Sequence, residues 1–186
     1  MKITTASAIL ALLFAGACGT VEQRPRTTAI TGGYTHAPSR YAFPTEVGGA
    51  RRATLLQRGD DGTRITAGYG TGTSECPVGI TLWLDPAPAG QSAQALEEAF
   101  ERAKRAEHEA YPDAGLVLQD AKETPPIGRR AIFLAPESGT MTDLVVWLIE
   151  DGWFVTYRSV QPERCIDDAR KAGREFYQAW SALRGK

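Results

Sequence analysis

Cysteine, histidine and methionine are scarce in these 186 residues, with three, two and two copies, and neither sign of charge dominates, with 21 Lys and Arg against 22 Asp and Glu. No apolar run reaches the roughly 20 residues that a membrane-spanning helix needs. Each shortage excludes something. Two histidines, His36 and His108, cannot furnish a typical zinc site, and neither Cys76 nor Cys165 has a second cysteine or histidine at zinc spacing. No metal and no cofactor is therefore expected. Balanced charge leaves no basic stripe to neutralise phosphates, so nucleic acid is not an expected partner. The clusters Arg51-Arg52, Arg102 to Arg105 and Arg129-Arg130 are short and interleaved with acids, and read as solvated faces.

What the chain does have is a distinctive beginning. Lys2 is followed by the apolar run Ile9 to Phe14, then by Ala15-Gly16-Ala17 directly before Cys18. These are the proportions of a secretory signal peptide over 1–17 with its cleavage site. Cleavage before Cys18 resembles the bacterial lipoprotein pattern, in which the cysteine carries a diacylglyceryl thioether and an N-acyl chain, although Ala15 stands where that pattern usually has Leu or Val. By the same resemblance Gly19, not being Asp, favours transfer to the outer membrane, so the expectation is a periplasm-facing lipoprotein whose membrane partner is reached through Cys18. Because Ala15-Gly16-Ala17 is also an ordinary A-x-A site, plain secretion without lipid is the alternative. Residues 18–38, rich in Thr, Gly, Pro and Arg with almost no periodic apolar positions, read as a tether that includes His36. The remainder, 39–186, is long enough for a single domain with a real core.

Export implies a compartment where thiols oxidise, and after Cys18 two cysteines remain. Cys76 and Cys165 are expected to be bonded, closing a loop worth about 4 to 5 kcal/mol in the chain-entropy model.

Past the tether, alternation of apolar and polar residues dominates. Tyr41 to Pro44 reads as a short extended segment, Arg51 to Arg58 as a strand, and Asp60-Asp61-Gly62 as a turn. Ile65, Ala67 and Tyr69 alternate with Arg64, Thr66 and Gly68, and Val78, Ile80, Leu82 and Leu84 with Gly79, Thr81 and Trp83. Spacing of this kind predicts an antiparallel meander. Between Ser92 and Tyr111 the period changes: Leu96, Ala99, Phe100, Ala103 and Ala110 lie at helical spacing, with Ser92 as cap and Pro112 as stop. Four further strands are expected over Leu116 to Glu123, Arg129 to Ala135, Asp143 to Glu150 and Trp153 to Val160, the last two joined through Asp151-Gly152 in a type I′ turn. A second amphipathic helix from Cys165 onward carries Ile166, Ala169, Gly173, Phe176, Trp180 and Leu183. An order of β-β-β-α-β-β-β-β-α without βαβ alternation predicts an α+β fold, an antiparallel sheet of about six to seven strands packed with two amphipathic helices.

Tyr41-Ala42-Phe43-Pro44 at the start of the domain and Asp151 to Arg158 before the closing helix, set in that element order, resemble the PsbP-like fold and a group of uncharacterised exported bacterial proteins. The resemblance spans about Tyr41 to Leu183 and implies a PsbP-like sandwich acting as a non-catalytic accessory or binding domain; separately, a protein, peptide or lipid ligand is the expected partner, and the aromatics could line an apolar groove for a lipid, peptide or glycan. It transfers no functional residue to this chain.

Candidate chemistry is thin. Gly68 to Thr73 looks like a phosphate loop but is followed by a strand where such loops need a helix N-terminus, so a mobile hairpin tip is expected. Ser74 and Ser138 lie outside any G-x-S-x-G turn, and His108, between Glu107 and Glu109, falls on the polar side of its helix. A small envelope hydrolase using Ser74 or Ser138 with His108 is the alternative from another class. Asp167-Asp168 suit the positive end of a helix. Among the aromatics, Trp147, Trp153, Tyr157 and Trp180 are candidates for core or groove, while Trp83 falls opposite Ile80, Leu82 and Leu84 and is the candidate surface contact.

Overall fold

Period-2 patterning turns most of the chain into a single antiparallel sheet. A computed structural model describes residues 27–59, 61–88, 93–122, 127–149 and 152–183. Four short strands come first, β1 (Thr27–Ala29), β2 (Tyr34–Thr35), β3 (Ala42–Phe43) and β4 (Glu46–Val47). The long strands β5 (Ala50–Arg58), β6 (Arg64–Gly72) and β7 (Pro77–Pro86) form the expected meander. Helix α1 (Ala93–Ala110) then crosses to the far edge, where β8 (Gly115–Lys122), β9 (Ile127–Ala135), β10 (Thr140–Ile149) and β11 (Trp153–Pro162) make a second meander. A short 3-10 turn (Glu163–Cys165) leads into α2 (Ile166–Ser181).

The two meanders join where β11 pairs with β7, giving the order β1-β5-β6-β7-β11-β10-β9-β8 with β4 also on β5. The sheet thus holds nine strands among the described residues, more than the six to seven expected, and β2 and β3 form a separate pair. The additional strands have two or three residues each, too few to show a period, and exist because backbone elsewhere offers partners to them: Thr27, Thr28 and Ala29 lie against Arg58, Gln57 and Leu56.

This corrects the tether expected over 18–38. Its first residues, Cys18 included, lie outside the described residues, but from Thr27 onward it belongs to the fold. His36 is fully buried, its Nδ1 2.7 Å from the Ser39 hydroxyl and its ring edge-on to Trp153. The Arg52 guanidinium donates to the carbonyls of Gly32 and Phe43 and ties this segment to β5. Tyr41 stacks on Trp180 at 4.5 Å between ring centroids, and the Trp180 indole donates to the Ala42 carbonyl at 3.0 Å.

Alternation builds two cores, one on each face of the sheet, and β10 and β11 contribute to both. On one face Ile65, Ala67, Tyr69, Val78, Ile80, Leu82 and Leu84 pack with Phe176 and Trp180 of α2. On the other, Ala131, Phe133, Leu144, Val146 and Phe154 pack with Leu96 and Phe100 of α1. Full burial of each such large apolar side chain stabilises the fold by roughly 1.5 to 3 kcal/mol. Cys76 and Cys165 form a disulfide that pins the start of α2 to the loop before β7. The Gly68 to Gly70 segment is paired strand, not a loose tip, since β6 continues to Gly72 at φ 85°. β10 and β11 are paired out to Ile149 and Trp153, and Gly152 before β11 has φ 80°. Asp151 and the expected Ser92 cap lie outside the described residues. Among the described residues no helix is long and apolar enough to cross a membrane.

Candidate functional site

Each helix covers only part of one sheet face, α1 over β9, β10 and β11, and α2 over β6, β7 and β11. A groove is left beside each helix, on opposite sides of the sheet.

The groove beside α1 has a volume of about 660 Å3. Trp83 lines it, on the face opposite Ile80, Leu82 and Leu84 as its position in β7 predicts, and it is half-buried. Ala99, Ala103, Ala106 and Ala110 form the helix wall. Its two carboxylates are both paired. Glu107 is 3 % exposed; one carboxylate oxygen accepts from the Thr142 hydroxyl at 2.7 Å and the other from Arg158 Nε at 2.6 Å. His108 and Glu109 are exposed, as expected for the polar side of α1, while Glu107 turns inward, where Arg158 on β11 meets it. Asp85 pairs with Arg64 at 3.7 Å, and burial raises its pKa despite the nearby Arg58, Arg64 and Arg102.

The groove beside α2 has a volume of about 400 Å3. Its floor comes from β9, β10 and β11. On β11 the inward positions Tyr157, Ser159 and Gln161 succeed one another at period 2, beside Asp143, Val145 and Trp147 on β10. Arg130 on β9 lies next to them and donates to both oxygens of Asp143, at 2.8 and 2.7 Å. These bonds raise the Arg130 pKa further and keep it charged. Burial pushes the Tyr157 phenol up to about 12, partly offset by the Ser159 hydroxyl, and pushes Tyr177 up to about 12 as well.

Two glycines set the shape of this groove. A Cβ on Gly173 would come within 2.5 Å of the Tyr157 hydroxyl, so only glycine lets α2 settle so close to β11. One on Gly128 would come within 2.7 Å of Trp147 Cδ1, so glycine there lets the indole lie across β9. Trp147 stacks on Tyr177, with centroids 4.3 Å apart. One floor group has no counterpart: Gln161 is 3 % exposed, and its Oε1 has no hydrogen-bond partner among the described residues. An amide oxygen in that position is costly unless something donates to it.

The residues of the hydrolase alternative are placed differently. Ser74 is in the β6–β7 turn, Ser138 in the β9–β10 turn with its hydroxyl donating to the Ala135 carbonyl, and His108 in the last turn of α1 with its ring edge-on to Phe133. No hydrogen bond joins His108 to either serine among the described residues. No group of three or more His, Cys, Asp and Glu able to hold a metal ion occurs among the described residues either.

Of the aromatics named from the sequence, Trp147 and Tyr157 line the α2 groove and Trp83 the α1 groove, whereas Trp153 and Trp180 belong to the core. Gln161 and Tyr177 were not singled out. Gln161 was legible only by carrying the alternation of β11 past Val160, and Tyr177 by its position one helical turn after Gly173. No family model matches this chain, and neither a curated protein nor a solved structure is significantly similar to it.

Proposed function

We propose that the chain is a periplasm-facing envelope lipoprotein, held in the outer membrane through lipid on Cys18, whose domain is a non-catalytic binding or accessory module with its ligand site in the groove beside α2. The element order behind the PsbP-like resemblance agrees with a module of that kind. The observation that carries the reading is the buried, unpartnered Gln161 amide oxygen in a groove whose other inner polar groups are engaged. Of the buried side-chain atoms without a partner among the described residues, the Gln161 oxygen is the one that belongs to the lining of this groove, where a ligand's donor would satisfy it. Two glycines that keep this groove open support the same reading.

Radiolabelled palmitate is expected to enter the wild-type chain and not Cys18→Ser; equal labelling removes the anchor. A small-molecule screen read by amide NMR on the full chain is expected to give shifts clustered at Gly128, Trp147 and Gly173, and to lose them in Gly173→Ala. Hits confined to Ser74, Ser138 and His108, with turnover of an ester, would transfer the function to the hydrolase reading.

A further inference from the structure

The groove beside α2 also carries information about what would fill it, and this inference rests on that groove being the binding site. We propose that it takes an acidic sugar, a pyranose ring bearing a carboxylate, alone or at the end of a chain of such rings.

Charge is the first argument. Lys122 on β8 and Arg170 and Arg174 on α2 are exposed at the rim. Arg130 is matched inside by Asp143, which leaves Asp120 as the remaining acid of the lining. Asp120 is itself 4.0 Å from Arg130. Arg170 has an exposed partner in Asp167 at 3.9 Å, a pair that solvent and salt screen almost completely. The lining therefore holds an excess of cations and attracts an anion to its mouth.

Hydrogen-bonding capacity is the second. Gln161 Oε1 accepts and does not donate, so the ligand brings an O–H or N–H to the floor. A carboxylate alone has none at neutral pH, and neither has an acyl chain. Sugar hydroxyls both donate and accept, so one ring can offer a donor to Gln161 and an acceptor to the Arg130 guanidinium already held by Asp143.

The third argument is shape. Val145 and the part of the Trp147 indole left uncovered by Tyr177 give the floor an apolar stretch beside these polar groups, a match for the C–H groups of a pyranose. A volume of about 400 Å3 admits a small molecule. The floor strands β9, β10 and β11 are each paired on both sides, and among the described residues the free ladder edge belongs to β8 at the rim, so an extended backbone added to that edge would not lie over Gln161 in the floor.

The test is titration of the full chain, oxidised at Cys76 and Cys165, with digalacturonic acid, its neutral counterpart digalactose, and laurate, following the indole N–H resonances of Trp147 and Trp83. The acidic disaccharide is expected to shift Trp147 and leave Trp83 in place, and to bind at least tenfold more tightly than digalactose. Gln161→Met, close in volume and lacking the amide, is expected to weaken it about tenfold with unchanged melting, and Arg170→Gln with Arg174→Gln to weaken it and reduce its salt dependence. Equal binding of the neutral sugar, or acid-sugar binding insensitive to Gln161→Met, overturns the proposal. Laurate or another compound moving Trp147 when no sugar does would reject the sugar and keep the groove as a site. If the broader amide screen also leaves Gly128, Trp147 and Gly173 unmoved, both readings fail.

Discussion

The two grooves differ in what their lining groups do: the lining carboxylates beside α1 are paired with arginines, whereas the lining beside α2 includes the unpartnered Gln161 oxygen. Beside α1, Glu107 is clamped between Thr142 and Arg158, so a helix turn, β10 and β11 are joined through one carboxylate. Nothing in that cluster asks for a ligand. Beside α2, the helix is fastened by means that leave the floor free: a disulfide at its first turn and an aromatic cluster of Tyr41, Phe43 and Trp180 at its last. The middle of α2, at Ala169 and Gly173, contributes little side chain, and there the groove opens with Gln161 in its floor. A buried polar group tells little by its presence; its complement of partners decides whether it holds the fold or awaits something else.

The largest effect is expected from breaking the α1 fastening. Glu107→Ala strands Arg158 in a position only 20 % exposed and costs about 3 kcal/mol or more, measured by urea denaturation. Replacing both partners, Glu107→Leu with Arg158→Met, should cost clearly less than Glu107→Ala; a double variant as unstable as the single would mean that the pair's charge is not what α1 depends on.

The corresponding cut on the α2 side is Cys76→Ser with Cys165→Ser. For a bond separating its cysteines by 89 residues, the loss is expected at about 2 to 5 kcal/mol, together with faster hydrogen exchange in the first turn of α2 and no comparable change in α1. Exchange accelerating equally in both helices would defeat the idea that the two are held independently.

A smaller effect comes from the floor itself. Above pH 10 an unfolded tyrosine releases its proton, while Tyr157, held up to about 12, keeps it. The folded state then binds more protons than the unfolded one, so the free energy of unfolding falls as pH climbs through that window. Tyr157 accounts for a loss of order 2 kcal/mol there, by the worth of a shift of that size. Tyr157→Phe is expected to flatten the alkaline fall in stability, with Tyr69 and Tyr177, also held up to about 12, supplying what remains. An unchanged profile would place the Tyr157 hydroxyl in water.

The seven long strands and two helices were legible because their alternation and three-four spacing run over eight or more residues, long enough for one period to stand out. Trp83 was legible for the same reason, as its parity in β7 opposes Leu82 and Leu84. Glu107 and Gln161 were not. Their parity or helical position could be read, but what Glu107 faces depends on β10, β11 and α1 meeting across gaps of 35 and 51 residues, and what Gln161 faces depends on where α2 lies over the sheet.

The amino-acid sequence by itself therefore determined the sheet-forming segments, the two amphipathic helices and the balanced charge, because these follow from local period and composition. Tertiary structure alone decided that Thr27 to Ser39 joins the fold, that Glu107 is spent on Arg158, and that Gln161 is left over. Satisfaction of a buried polar group is a property of its neighbours in space, and neighbours separated by dozens of residues leave no local pattern behind.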